Sequence, residues 1–347
     1  MAKQDLKSMS LEELQIFMGS IGEAKFRAKQ IFEWLHKKQA GDFEEMTNIS
    51  KNLREKLSNE AKISYVKILE KHVSKQDNTT KYLFALENDN IIESVLMRYN
   101  YGNAVCISTQ VGCRMGCTFC ASTLDGVERN LTAGEMLSQI YEIQKDTGER
   151  VSSVVLMGSG EPLDNYDNVL KFIRLLNDKD GLNIGQRHIT LSTCGLIEKM
   201  YNLADEGLQI TLAVSLHAPN DEIRNKIMPI SKKNNMERLL EACKYYSDTT
   251  KRRITFEYAM INGVNDSIDC ARELSEKLRN MLCHVNLIPV NDVKERNYKK
   301  SSGETVEKFA EFLNSKGIET TVRRKLGSDI NAACGQLRKG YIERKQQ

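Results

Sequence analysis

A chain of 347 residues, 40% hydrophobic, is long enough to bury a substantial core and to hold one large domain with a smaller one beside it. Its formal net charge of +3 is too mild to demand a nucleic-acid partner by itself, and nine irregularly spaced cysteines argue against a disulfide scaffold and for a reducing cytosol. The polar stretch from Met1 to Ser20 lacks the apolar core of a signal peptide, and no apolar run approaches the roughly 20 residues that span a membrane, so a cytoplasmic protein without a membrane partner is expected.

The N-terminal part reads as helical. Ser10-Leu-Glu-Glu13 is a capping box opening a short helix that Gly19 can close. Ala24, Ala28, Ile31, Phe32 and Leu35 share one helical face, and a third helix starts after Ser50 and carries Leu53 and Leu57. Residues 1–62 are therefore expected to form a small helical domain. Its Lys25, Arg27, Lys29, Lys37 and Lys38 suit either a solvated face or a phosphate contact.

From Ile63 the pattern turns to strands, and residues 63–98 read as a short β extension. Lys81-Tyr-Leu-Phe-Ala-Leu86, Ile91-Ile-Glu-Ser-Val-Leu96 and Ala104-Val-Cys-Ile-Ser-Thr109 are strand-like runs separated by Asn/Asp/Gly turn clusters. Glu93 is a carboxylate inside one apolar strand, and Cys106 is a thiol inside another. Ordinarily the first would face solvent and the second would fill the core.

Beyond Ala104 the chain alternates. Strand-like runs begin near residues 104, 153, 188, 209, 254 and 284, followed by helix-like runs near 132–147, 165–177, 195–206, 236–248, 267–280 and 303–316. Such alternation implies an α/β fold with a parallel sheet and helices packed outside it. Six units are too few for a closed eightfold barrel. An open partial barrel of six strand–helix units over residues 99–330 fits, with a short tail at 331–347. Ligands in parallel α/β folds sit at the carboxyl ends of the strands.

The residues with the most chemistry fall at those ends. Cys113-Arg-Met-Gly-Cys117-Thr-Phe-Cys120 brings three thiols together in the pattern Cys-x3-Cys-x2-Cys. Three thiolates so placed can converge on one iron–sulfur cube and leave one of its irons open. A zinc site or a buried trio of core cysteines is the alternative; zinc motifs usually present paired Cys or Cys/His sets, which this stretch lacks. Met157-Gly-Ser-Gly160-Glu161-Pro162 runs from a strand into a Gly-rich turn. Leu191-Ser192-Thr193, Ser215-Leu216-His217-Ala-Pro219 and Asn286-Leu-Ile-Pro-Val-Asn291 end three further strands. Basic runs at Lys232-Lys233, Lys251-Arg252-Arg253, Lys299-Lys300 and Arg323-Arg324-Lys325 each suit a solvated face and together suit an RNA footprint. The tail carries Ala332-Ala-Cys334-Gly-Gln-Leu337, a cysteine that by base rate alone would be inert.

The cysteine trio, with Phe119 before its last member, resembles the radical S-adenosylmethionine (radical-SAM) signature. Taken with Met157 to Pro162, Ser215 to Pro219 and the Cys334 tail, in that order, the whole chain resembles the radical-SAM RNA adenine C2-methyltransferases of the RlmN family. The resemblance implies the open partial (βα)6 barrel, one 4Fe-4S cluster on Cys113, Cys117 and Cys120, and two molecules of S-adenosylmethionine per turnover. It implies that Gly160, Glu161, Ser192, Ser215, Leu216, His217 and Asn291 contact S-adenosylmethionine. It also implies that Cys334 carries the methyl group, that Cys106 forms a transient disulfide with it, and that Glu93 accepts a proton.

The implied substrates are an adenosine of 23S rRNA and the adenosine 3′ to the anticodon in some tRNAs, with an electron donor such as flavodoxin. No signal sets the oligomeric state, for which a monomer is the simplest expectation. The sibling Cfr type methylates C8 of the same ribosomal adenosine, but Glu161-Pro-Leu163 with Asn165-Tyr-Asp-Asn168 looks more like the C2 family. A non-catalytic RNA-binding module with structural iron or zinc would leave Cys106 and Cys334 unexplained.

Overall fold

The structure is a computed structural model, and it describes residues 3–290, 298–324 and 326–330. Asn291 and Cys334 lie outside the described residues.

Gln4–Asp5 (β1) pairs in parallel with Ala61–Lys62 (β2), and between them lie Leu11–Ser20 (α1), Arg27–His36 (α2) and Lys51–Glu60 (α3). The capping box of α1 is present: Glu13 N donates to Ser10 Oγ at 3.2 Å, and Ser10 N donates to Glu13 Oε2 at 2.8 Å. The helix runs through Gly19, and Gly22, at φ +75°, supplies the left-handed turn after it. Ala28, Ile31, Phe32 and Leu35 are buried as their spacing predicts.

Val66–Val73 (β3), Thr80–Leu86 (β4), Ile91–Tyr99 (β5) and Gly102–Cys106 (β6) pair successively as antiparallel strands. Gln110–Gly112 (β7) and Val127–Asn130 (β8) form a separate two-stranded ribbon on either side of the cysteine loop. Strand and helix then alternate through Ala133–Thr147 (α4), Val151–Leu156 (β9), Tyr166–Asn177 (α5), Ile189–Thr193 (β10) and Ile197–Asp205 (α6). They continue through Thr211–Ser215 (β11), Asp221–Ile227 (α7), Met236–Thr250 (α8), Ile254–Met260 (β12), Ile268–Lys277 (α9), Cys283–Pro289 (β13), Gly303–Ser315 (α10) and Thr320–Val322 (β14).

The main sheet has ten strands in the order β14-β13-β12-β11-β10-β9-β6-β5-β4-β3. From β6 to β14 the pairing is parallel, and the two ends of the sheet do not meet. This is the open partial barrel expected from the alternation, lengthened by the short seventh parallel strand β14. The β extension is continuous with it: β5 hydrogen-bonds directly to β6, so the extension forms one wall of the barrel.

Helix α4 joins the helical unit to that wall. On one side Gly134 N donates to Ser8 Oγ at 2.8 Å, Lys7 Nζ donates to Ser138 Oγ at 3.0 Å, and His36 Nδ1 meets the Tyr141 hydroxyl at 2.9 Å. A Cβ on Gly134 would fall 2.3 Å from Ser64 Oγ, so a larger residue there would displace the side chains of Ser64, Asp5 and Ser8. On the other side Ser94 Oγ donates to Gln139 Oε1 at 2.7 Å, and Gln139 Nε2 donates to the Ser108 carbonyl at 3.0 Å. The apolar residues of the helical unit and of the barrel form one continuous core.

Candidate active site

A cavity of about 560 Å³ opens at the carboxyl ends of the parallel strands, within the range usual for small-molecule sites. Cys113, Cys117 and Cys120 all line it. Their loop is held from several directions. Cys113 N donates to the Gly126 carbonyl at 2.7 Å, and Thr118 N donates to the Ile227 carbonyl at 2.9 Å. Thr123 Oγ1 donates to the carbonyls of Cys117 and Cys120, each at 2.9 Å. Arg114 grips Asp164 with two hydrogen bonds, from Nε at 2.8 Å and from Nη2 at 2.6 Å.

Burial pushes the Cys113 thiol up to about 12, with Glu161 and Cys120 adding to the rise. Burial pushes Cys117 up further, reinforced by Cys120 and Cys113. Three thiolates cannot share such a pocket without a cation, and a metal centre deprotonates a coordinating thiol outright. Among the described residues no three His, Cys, Asp or Glu side chains are grouped to hold a single metal ion. Three thiols lining one cavity are the ligand set that an iron–sulfur cluster takes.

Strand β9 delivers Gly158, Gly160 and Glu161 beside the cysteines. Gly160 has φ +111°, and a Cβ there would lie 2.7 Å from Gln110 Cβ and 2.7 Å from Thr109 Oγ1. Only glycine fits this turn. The Glu161 carboxylate is buried in the cavity wall, where it accepts from Cys194 N at 2.8 Å and from Leu163 N at 3.1 Å. Burial raises its affinity for protons, and these hydrogen bonds oppose the rise.

Ser192 and Ser215, at the ends of β10 and β11, line the same cavity. So does His217, in the left-handed region at φ +56°. Its Nδ1 accepts from Ala259 N at 2.9 Å, and its ring packs edge-on against Phe119 with centroids 4.8 Å apart. Leu216 differs from its neighbours. Its side chain is buried in the core and does not line the cavity, its N–H donates to the Glu257 carbonyl, and its carbonyl accepts from Arg224.

Cys106 ends β6 and lines the cavity opposite Val95 of β5. Glu93 lies two residues from Val95, hence on the same sheet face, and is 4% exposed. Neither the solvent-facing reading of Glu93 nor a purely core reading of Cys106 holds. The basic runs divide. Lys300, Arg323 and Arg324 line the cavity, whereas Arg252 and Arg253 precede β12 at the opposite end of the sheet, where Arg253 pairs with Glu319.

Two residues of this region carry no signal in the sequence. Arg224 of α7 is fully buried and donates to the carbonyls of Cys194 at 2.8 Å and of Ser215 and Leu216, each at 3.2 Å, tying the ends of β10 and β11 together. In sequence it sits among Asp221, Glu222 and Lys226 and reads as surface charge. Glu257 of β12 is buried in the cavity wall and accepts from Asn286 Nδ2 at 2.9 Å. Only its central place in an apolar strand hints at a role.

Comparison with known proteins agrees with this geometry. The model for the ribosomal RNA large subunit methyltransferase N-terminal domain matches residues 4–63, and that for the radical SAM superfamily matches residues 107–274. The probable dual-specificity RNA methyltransferase RlmN of Clostridium novyi is 58% identical over 98% of this chain and 99% of its own length. Its counterpart in Lachnoclostridium phytofermentans is 57% identical over 99% of this chain and 96% of its own. A crystal structure of a radical SAM methyltransferase from Sphaerobacter thermophilus superposes with a TM-score of 0.91 at 41% identity, covering 96% of this chain and 98% of that one. No described helix is long and apolar enough to cross a membrane. The chain belongs to the RlmN family of radical-SAM RNA methyltransferases, enzymes that work with a 4Fe-4S cluster and S-adenosylmethionine.

Proposed function

We propose that this enzyme methylates C2 of an adenosine in 23S rRNA and of the adenosine 3′ to the anticodon in tRNA, with Cys334 as the methyl carrier and Cys106 as the residue that releases the product. The observation that supports this most directly is the position of Cys106, in the wall of the cavity that the three clustered cysteines also line. A cysteine outside the ligand trio yet facing the same space is what a thiol-carried methyl transfer needs.

The carbon to be methylated explains the thiols. C2 of adenine lies between two ring nitrogens and is too electron-poor to displace a methyl group from a sulfonium, whereas a thiolate can. The cluster and S-adenosylmethionine, when bound, supply the methyl group and the one-electron chemistry, with electrons from a flavodoxin-type donor. The protein supplies placement. Cys113, Cys117 and Cys120 hold the cluster. Gly160, Glu161, Ser192, Ser215, His217 and Asn291 bind S-adenosylmethionine, and Leu216, buried between Ser215 and His217, fixes the turn that presents them. Cys334 accepts the methyl group and becomes linked through that carbon to the RNA, Glu93 takes the proton that leaves C2, and the Cys106 thiolate attacks the Cys334 sulfur, leaving a disulfide while the freed methylene carbon keeps the C–S electron pair and takes up a proton to become the methyl group.

Mass analysis of RNA from cells with and without the enzyme should show 2-methyladenosine that depends on it; methylation at C8 instead would assign it to the sibling chemistry. The cysteine pair gives the sharper test. Cys334→Ala should form neither adduct nor product, whereas Cys106→Ala should accumulate protein covalently bound to RNA, visible as a nuclease-sensitive mass increase on a denaturing gel. Adduct-free loss of activity in both variants would reduce the pair to a structural role.

A further inference from the structure

Lys81 of β4 is wholly buried, and its Nζ lies 3.1 Å from Glu93 Oε2 on the neighbouring strand. The register places Lys81 opposite Val95, and Val95 opposite Cys106. Alternation then puts Lys81, Glu93, Val95 and Cys106 on one face, the face whose Val95, Met97 and Cys106 form the cavity wall. The Glu93 backbone is pinned as well, because Ser108 Oγ donates to its carbonyl at 2.7 Å.

A buried ion pair is a weak stabiliser, since a well-packed apolar pair of the same size commonly does as well or better. Packing alone therefore gives no reason for a charged pair in this wall. A buried carboxylate without a cation escapes its desolvation by taking up a proton, and a carboxyl that already holds a proton cannot accept another.

We propose that Lys81 is the positioning residue for removal of the C2 proton: its ammonium, 3.1 Å from Glu93 Oε2, holds that carboxylate in place on the sheet face that walls the cavity until the RNA adduct forms. The proposal rests on the reading of Glu93 as proton acceptor. In the step concerned, the C–H electron pair stays on the adenine ring and the proton goes to a carboxylate oxygen of Glu93, which becomes a neutral carboxyl group. Lys81 holds the carboxylate and is not consumed in the step.

The test follows single turnovers of the cluster-loaded enzyme with RNA, reading S-adenosylmethionine cleavage, covalent adduct and released methyladenosine separately. Lys81→Met should cleave S-adenosylmethionine and form the adduct like wild type, yet release product about a hundredfold more slowly, the size usual for losing a positioned base. Lys81→Arg should restore release to within a few-fold. A merely structural lysine would lower all three readouts together, and that result, or wild-type release by Lys81→Met, overturns the proposal. Glu93→Gln separates the two ideas. If it stalls at the adduct while Lys81→Met does not, only the role of Lys81 falls; if it releases product normally, the reading of Glu93 falls and takes this proposal with it. Should Lys81→Met not fold, Lys81→Gln, which keeps a hydrogen-bond donor but no charge, must show the same stalled adduct.

Discussion

His217 accepts a hydrogen bond at Nδ1 from the backbone N–H of Ala259, 2.9 Å away. An imidazole that accepts at Nδ1 carries its proton on Nε2 and is neutral. Burial, with Arg224 nearby, holds its protonation down to about 3, so the ring is a fixed donor at ordinary pH. His217→Asn tolerates the left-handed backbone but loses the ring donor, and S-adenosylmethionine binding should weaken about tenfold. In the wild type, titrations between about pH 5 and pH 8 should show no step in that affinity from a histidine.

Stability should respond to acid through the same residue and through His36. Burial holds His36 down to about 3, with a smaller contribution from Lys7. Both rings titrate near about 6.5 when the chain is unfolded. Below that value the unfolded chain binds a proton at each site that the folded chain refuses, so stability falls as pH falls from about 6.5 toward 3. At pH 5 each ring should cost about 2 kcal/mol relative to pH 7. Urea midpoints at the two pH values measure this, and His36→Gln should remove about one proton from the slope.

Gly160→Ala places a Cβ where Thr109 and Gln110 already stand and holds a non-glycine residue at φ +111°. Strain of this kind costs on the order of 1–3 kcal/mol, and the turn can shed it only by moving Glu161. Iron content should stay at wild-type level, because the cysteine loop is anchored through Gly126, Ile227 and Asp164. Binding of S-adenosylmethionine should weaken about tenfold to a hundredfold, read together as affinity and yield of 5′-deoxyadenosine.

The two arginine pairs should differ in their effect on RNA. Arg323 and Arg324 line the cavity of the three cysteines, whereas Arg252 and Arg253 lie at the far end of the sheet. Reversing the charge of Arg323 and Arg324 should weaken RNA binding and flatten the dependence of log affinity on log salt by about one for each phosphate no longer neutralised. The same reversal at Arg252 and Arg253 should leave that slope near the wild-type value. Wild-type slopes in both variants would show that neither pair meets phosphate.

Much of this protein is legible without its structure because the signals involved are local. A capping box spans four residues, so Ser10 with Glu13 and Thr132 with Glu135 mark helix starts in the sequence and do so in the fold. The strand–helix alternation implies the parallel sheet, and three cysteines within eight residues stay close enough to line one cavity.

What tertiary structure alone decided concerns residues far apart along the chain. That β5 lies beside β6, making the extension a wall of the barrel, depends on which sheet edge was left open. Hence Lys81 and Glu93, on different strands, meet as a buried pair where each alone reads as a surface charge. Arg224 likewise looks solvated in a charged stretch, and is buried only because the carbonyls of Cys194, Ser215 and Leu216 converge on it. The basic runs look alike in sequence, yet one ends a strand and the other begins one, which puts them at opposite ends of the sheet. Local propensity follows from the bonds and sterics of neighbouring residues, whereas burial and pairing follow from the packing of segments that only the whole fold brings together.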